Sequence, residues 1–503
     1  MTDGPVIEAR TAPPLPENPW PALWALVIGF FMILVDVSIV SIATPALMGA
    51  FGTGIEPVMW VTSAYLLAYA VPLLITGRFG DRYGPRRIYL VGLAIFTLAS
   101  LLCGLSPTIH WLIGARVVQG LGASLMTPQT MAVITRTFPP ERRGSAMALW
   151  GATAGVAFLV GPLLGGLLLD GLGWEWIFFI NVPVGLIGLV AAIRLVPALE
   201  THAHAMDWIG VVLSAIGLFL VIFGLQEGES HDWGPVVGPV TVPALIGSGL
   251  LVLLAFVIWQ ARGPQEPLVP LSLFNDRNFS LANVAITMMS LAVTAMMYPL
   301  LVWLQTVREL SPTQAALVIA PQAIASIVLA RRVGRLVDRI HPRVLPTVGL
   351  GGLAVTLFAL SALMTPTSPM WAIVIAMAFV GVAGAFVWGP LATTANRNLP
   401  MHQAGAGAGV YNTTRQIGAV VGSATIAAVM SARIAAHVGP GATVAFTGEG
   451  EAGATAGAPL PDDLVAAVSS AFAESMLLPA GVLVIGTIAA LALEQMRHTR
   501  RTR

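Results

Sequence analysis

Three polar residues stand inside long apolar stretches, where they could move charge or a proton through a membrane. Asp36 lies in Leu34-Val35-Asp36-Val37-Ser38-Ile39-Val40. An ionisable group within a bilayer is costly, so its presence argues for function. A carboxyl in a low-dielectric cavity can alternate between protonated and charged forms, as a proton-coupled carrier requires. Arg116 opens the run Arg116-Val117-Val118-Gln119-Gly120-Leu121-Gly122-Ala123-Ser124. A buried guanidinium keeps its charge and needs a carboxylate or many acceptors, and Asp36 is the natural candidate. Gln119 lies one helical turn from Arg116, on nearly the same face. Glu474, at the outer end of the last apolar run, is the better candidate for a second acid; Glu227 is a weaker one.

Other constellations suit a moving bundle. Gly77-Arg78-Phe79-Gly80-Asp81-Arg82-Tyr83-Gly84-Pro85-Arg86-Arg87 packs five charges and three glycines into eleven residues. It lies between the apolar runs Val58 to Thr76 and Ile88 to Leu105, and so reads as a short basic turn held in the cytoplasm. Gly77 and Gly84 let the backbone turn and approach a neighbour. Asp81 can accept from a helix N-terminus or from Arg82, Arg86 or Arg87. Gly151, Gly155, Gly161, Gly165 and Gly166 follow one another at helical spacing, which lets helices touch, and Pro162 places a kink among them. Asn181, in Trp174-Glu175-Trp176-Ile177-Phe178-Phe179-Ile180-Asn181-Val182-Pro183, either lines a path or starts a helix. Asn412, Arg415 and Gln416 sit one turn apart; they face a cavity, bind an inner gate or pair with another helix. Substrate walls are expected from aromatic and methionine side chains, with Tyr65, Tyr69, Trp303 and Trp388 as candidates beside Trp60, Trp150, Met296, Met297 and Tyr298, and Gln322 as a polar contact.

These residues need helices to hold them. The chain has 503 residues, 56% hydrophobic and only 10% charged, far below the roughly 25% charge of soluble domains. It is an all-α polytopic membrane protein. Apolar runs predict fourteen helices at about 22–47, 58–76, 88–105, 111–134, 145–169, 176–196, 208–225, 241–261, 279–306, 312–330, 345–363, 371–394, 408–430 and 473–493. All 25 basic residues are arginine; 21 fall on one side of these helices and 2 on the other, which puts both termini in the cytoplasm. Gly334-Arg335-Leu336-Val337-Asp338-Arg339 echoes Gly77 to Arg82 at an offset of 257, and Gly384 with Pro390 echoes Gly122 with Pro128 at 262. Both echoes pair helix n with helix n+8. Two six-helix bundles, helices 1–6 and 9–14, with two inserted helices 7–8 fit this pattern, and a substrate path would run between the bundles.

The resulting division is a disordered cytoplasmic tail at 1–19, a first bundle at 20–197, the inserted pair at 198–262, a second bundle at 263–496 and a basic tail at 497–503. The segment from about 432 to 471 reads as a flexible external loop, in which the Leu464-Val468-Ala471 spacing allows a short surface helix or cap.

The eleven-residue basic stretch resembles motif A of the major facilitator superfamily, with Pro85 where that family often has a basic residue. The Asp36 to Leu47 run resembles motif D1 of its drug:proton antiporters. The Arg116 run resembles motif B, whose arginine is implicated in proton coupling, and the helix-five glycines resemble motif C, the antiporter motif. The start of helix six is similar to its counterpart in the fourteen-helix antiporters. The resemblance covers residues 20 to 496 and implies alternating access in a cytoplasmic-membrane transporter. Asp36, Arg116 and Glu474 would couple proton entry to efflux of lipophilic or amphipathic compounds, and the Asp81 stretch would lock the cytoplasmic side. A narrow exporter of one metabolite, siderophore or lipid shares all these features; a non-transporting sensor or scaffold is the rival from another class. Helix nine carries no acid, which weakens the case for divalent cations. The expected partners are lipid, protons and substrate, with no nucleic acid, and the expected assembly is a monomer.

No cofactor is expected, since the drive is the proton gradient. A chain without lysine cannot build the lysine-bearing phosphate loop of an ATP-driven pump. No nucleophile–base set suggests an enzyme. Cys103 is a lone core cysteine, and His202 and His204 read as solvated rather than as metal ligands.

Overall fold

The computed structural model describes residues 18–494 except 41–42, 54, 200, 202–205, 229–230, 232, 264–265, 338, 401–402 and 439–461. The His202 and His204 positions, Asp338 of the repeat and both tails lie outside the described residues.

Prolines break five of the expected spans into shorter helices. The first is α1 (Trp20–Val40) followed by α2 (Thr44–Phe51), with a proline in the first turn of α2. The second is α3 (Ile55–Ala70) and α4 (Leu73–Tyr83), bent by 45° beside Pro72. Next come α5 (Pro85–Gly104), α6 (Ile109–Thr137) and α7 (Pro140–Gly171). The sixth span is α8 (Trp176–Phe179) and α9 (Asn181–Leu195), and the inserted pair is α10 (Trp208–Gln226) and α11 (Val242–Arg262). A small hairpin of β1 (Pro235–Val237) and β2 (Val240–Thr241) joins that pair. The remaining spans are α12 (Arg277–Thr306), α13 (Pro312–Val337), α14 (Val344–Leu363), α15 (Met370–Ala385) with α16 (Trp388–Asn396), α17 (Ala404–Val438), and α18 (Asp462–Ser475) with α19 (Leu477–Leu491). Proline removes a ladder donor and clashes one turn back, which accounts for the breaks before Pro183, Pro390 and Pro479.

Eleven of these segments are long and apolar enough to cross a membrane, and the bent α3–α4 pair makes a twelfth. Helices α6 and α7 complete the fourteen. Most of α6 is buried by its neighbours, so its polar residues from Arg116 to Thr137 do not meet lipid. By contrast α11 leaves Leu250, Leu251, Leu254 and Val257 exposed, as a lipid-facing helix must.

Two bundles result. In the first, α5 and α3 pack on α6, and α1 packs on α7 and α9; in the second, α12 packs on α17 and α19, and α13 and α14 pack on α15. The α10–α11 pair stands outside both. Small residues set the closest approaches. A Cβ at Gly122 would lie 2.7 Å from the Phe96 amide nitrogen, and one at Gly92 2.8 Å from the Gly122 carbonyl. Backbone cannot yield as a side chain can, so Gly122→Ala should destabilise the fold by about 1–3 kcal/mol. Gly166→Ala, which meets nothing within 4 Å, should be neutral. Thermal unfolding in detergent separates the two, and equal behaviour would refute the packing argument.

Two boundaries differ from expectation. Gly77 to Tyr83 is not a turn: α4 continues through it, and the chain breaks only at Gly84, whose φ of 92° a side chain would strain, before Pro85 starts α5. The expected external loop is shorter than 432–471. Helix α17 runs to Val438, and Leu464, Val468 and Ala471 belong to α18, where Val468 and Ala471 are buried in the bundle rather than forming a surface cap.

Candidate functional site

Asp36, in the last turns of α1 and midway along the α1–α2 span, is fully buried and sits in a cage of donors from two other helices, α6 and α9. Arg116 Nη1, on α6, donates to Asp36 Oδ2 at 2.5 Å. Gln119 Nε2 and Asn181 Nδ2 donate to Asp36 Oδ1 at 2.9 and 2.8 Å. Asn181 is the first residue of α9, the helix-start role read from the sequence. Arg116 also donates from Nη1 to Gln119 Oε1 at 2.6 Å and from Nε to the Val61 carbonyl at 3.0 Å. Its guanidinium lies 4.0 Å from the centre of the Tyr65 ring, a cation–π contact strengthened by loss of water. Gln119 Nε2 is further held by Ser100 Oγ at 2.7 Å. A pair enclosed in this way is held by geometry, and removing either charge strands the other.

A second site lies at the arginine-rich end. Asp81 on α4 is fully buried and accepts from the amides of Gly405 and Ala406, both at 3.0 Å, in the first turn of α17. A carboxylate there satisfies orphan amides and meets the positive end of the helix dipole. Its ion-pair partner is Arg136 at the end of α6. This corrects the expectation of Arg82, Arg86 or Arg87. Arg82 lies over the Tyr83 ring, Arg86 donates to the Ile193 carbonyl and Arg87 is exposed. Arg136 carries no sequence signal for this role because α6 runs about one turn further than its apolar pattern, which makes the residue read as a loop charge.

Contacts between the bundles gather at this end. A Cβ on Gly77 would come within 2.5 Å of the Gly405 carbonyl. One on Gly389 would lie 2.7 Å from Ala148 Cα, and one on Gly334 2.6 Å from Ser145 Cα. The α7 glycines divide by height. Gly151 abuts Trp388 of α16 and Gly155 faces Ser326 of α13, whereas Gly161 and Gly165 meet Ser38 and Ile39 of α1. Gly166 has open space around it; the side chain of Pro162 lies outside the described residues. Midway along the seam, Arg415 Nη2 of α17 donates to the Tyr69 hydroxyl at 3.3 Å, which shares a hydrogen bond with Thr127 at 3.1 Å. Tyr69 in turn packs 6.1 Å from Tyr65, ring centre to ring centre.

Other candidates fall elsewhere. Glu474 is more than a third exposed at the seam of α17 and α18, where Arg433 lies at 3.2 Å and His437 at 3.0 Å, so it is a surface ion pair and not an acid beside Asp36. Trp303 is fully buried inside the second bundle and donates to Ser469 at 2.8 Å, so it does not line the seam. Gln322 packs its backbone against Gly381 of α15. Asn412 donates to the Ala408 carbonyl of its own helix at 2.9 Å, and Gln416 is buried beside it. Among the described residues, no group of three metal-ligating side chains occurs.

The chain matches the family described as Major Facilitator Superfamily over residues 26–423. It is 52% identical to an uncharacterized MFS-type transporter, Rv1250, of Mycobacterium tuberculosis, over 95% of this chain and 81% of that one. It is 32% identical to the multidrug resistance protein Stp of the same species, over 82% of this chain and 76% of that one. The fold is similar to the crystal structure of the human organic anion transporter MFSD10, with a TM-score of 0.62 at 14% identity, covering 93% of this chain and all of that one.

Proposed function

The chain belongs to the major facilitator superfamily, and from that premise we propose that it exports lipophilic or amphipathic drugs in exchange for protons. The observation that carries this reading is the fully buried Asp36–Arg116 pair inside a membrane-spanning bundle. A proton arriving at Asp36 neutralises the carboxylate and leaves Arg116 with Gln119, the Val61 carbonyl and the Tyr65 ring. The likeness to a multidrug resistance protein supports drug substrates. The excess of arginine at one end supports a cytoplasmic-membrane location with both termini inside. On that orientation Asp81 and the Gly77–Gly405 contact shut the seam at the cytoplasmic end, which supports reading this conformation as the one closed to the cytoplasm. Substrate would enter when this seam parts and leave when it closes.

The test is flux in proteoliposomes with an imposed pH gradient. A fluorescent lipophilic cation should be expelled several-fold faster than from protein-free vesicles, and a protonophore should abolish the difference. No gradient-driven flux of any lipophilic probe by correctly oriented, folded protein would replace multidrug efflux with export of a single endogenous compound.

A further inference from the structure

The segment that follows the inserted helices is bonded to the helix that shuts the seam. Arg78 sits on α4 between Gly77 and Asp81 and is only 8% exposed. Its Nε donates to the Leu268 carbonyl at 3.0 Å and an Nη donates to the Pro267 carbonyl. Both carbonyls belong to the segment that leaves α11 and leads into α12.

That segment is fastened at each end. Asp207 caps α10 through the Gly210 amide at 2.8 Å and accepts from Trp259 at 2.9 Å and Gln260 at 2.6 Å, both on α11. Gln260 Oε1 then accepts from the Val269 amide at 3.1 Å. Beyond it, Asp276 caps α12 through Phe279 N at 3.0 Å, and Asn398, just after α16, donates to Asp276 at 2.8 Å. Helix α10 crosses the same seam above, packing on α3 and α4 of the first bundle and on α17 of the second. Trp60 and Phe223 meet there with ring centres 5.8 Å apart.

We propose that the inserted pair and the segment after it form a strap across the seam, with Arg78 as its anchor. Arg78 is a positioning residue. It ties the gate helix α4 to a segment whose far end is fixed to the second bundle at Asp276 and Asn398. Parting α4 from α17 must break either the Arg78 bonds or that far attachment. The strap therefore stabilises the closed cytoplasmic seam, and it sets how often the seam opens without touching substrate or the Asp36 pair.

This inference rests on the alternating-access reading, and one experiment separates the two. In a Cys103→Ser background, spin labels at Arg87→Cys and Arg339→Cys report the cytoplasmic separation of the bundles in the full-length protein in nanodiscs. Wild type should show two separations whose proportions change with pH; a single invariant separation would refute alternating access itself. Given a switching wild type, Arg78→Gln should raise the ratio of open to closed populations by roughly ten-fold, the order expected for losing a charge-assisted hydrogen bond. Arg78→Lys should restore part of it. Gln260→Leu unhooks the segment while leaving Arg78 in place and should shift the ratio in the same direction. If Arg78→Gln does not fold, Gln260→Leu decides alone. Unchanged populations in folded variants, with only a lower melting temperature, would overturn the strap.

Discussion

Asp36→Asn is expected to abolish proton-driven efflux in proteoliposomes while exchange of substrate down its own gradient continues. Asparagine keeps the size of aspartate, but its one oxygen can serve either Arg116 or the Gln119 and Asn181 amides and not both sides, and it has a single protonation state. The variant thus resembles a carrier with its proton permanently bound, able to carry substrate but not to couple it. The same change leaves the buried guanidinium of Arg116 without its counter-charge. Stranding one member of a buried pair costs about 3–5 kcal/mol, so the melting temperature should fall as well. Gradient-driven flux should fall to the level of protein-free vesicles. Counterflow of labelled substrate is the control, because a merely unfolded protein loses both activities. Gradient-driven flux near the wild-type rate in Asp36→Asn would remove Asp36 from the coupling step.

Much of this site was legible in the sequence because charge is scarce in a membrane helix. Asp36 and Arg116 stand out where nearly every neighbour is apolar, and Gln119 follows from helical spacing. The polar groups of the cage were harder. Ser100 carries no signal, since a small hydroxyl is satisfied by its own helix, here the Phe96 carbonyl at 2.9 Å. The Val61 carbonyl is backbone and has no signature at all. Hydropathy ended helix two at Thr76 because charges begin there. The helix continues because Gly77 and Gly80 are pressed against α17 and Gln129, so the stretch faces protein rather than water. The same reasoning mislaid Arg136 and enlarged the external loop: a composition window cannot tell a polar residue turned inward from one in solvent. Glu474 shows the opposite case. Its place at the outer end of an apolar run offers a second acid, and the packing of α17 against α18 sets it at a partly exposed surface with Arg433 and His437.

The seam itself offers the second large effect. Gly405→Ala should shift the protein toward the inward-open state and slow transport, even though the new methyl group reaches neither Asp36 nor substrate. A Cβ at Gly405 would run into the Gly77 carbonyl and lie 2.6 Å from the Asp81 carboxylate. One of those obstacles is backbone, and the other is a buried side chain already bonded to two α17 amides and to Arg136. Relief comes only by moving α17 away from α4, which undoes the Asp81 bonds at the same time. Overpacking of this kind costs about 1–3 kcal/mol, or roughly 5- to 150-fold in the balance between closed and open seams. The strain falls on the closed state alone, since the two helices part when the seam opens. A neutral detergent stability with a shifted population is therefore the expected signature, in contrast to Gly122→Ala, whose contacts lie within one bundle. Asp81→Asn should move the population the same way by removing charge from the α17 terminus. Combined with Gly405→Ala it should add little, because both changes break one latch. The spin-labelled pair at Arg87→Cys and Arg339→Cys reads all three variants. Full additivity, or a closed seam that survives Gly405→Ala, would mean that the Asp81 contact follows closure instead of holding it.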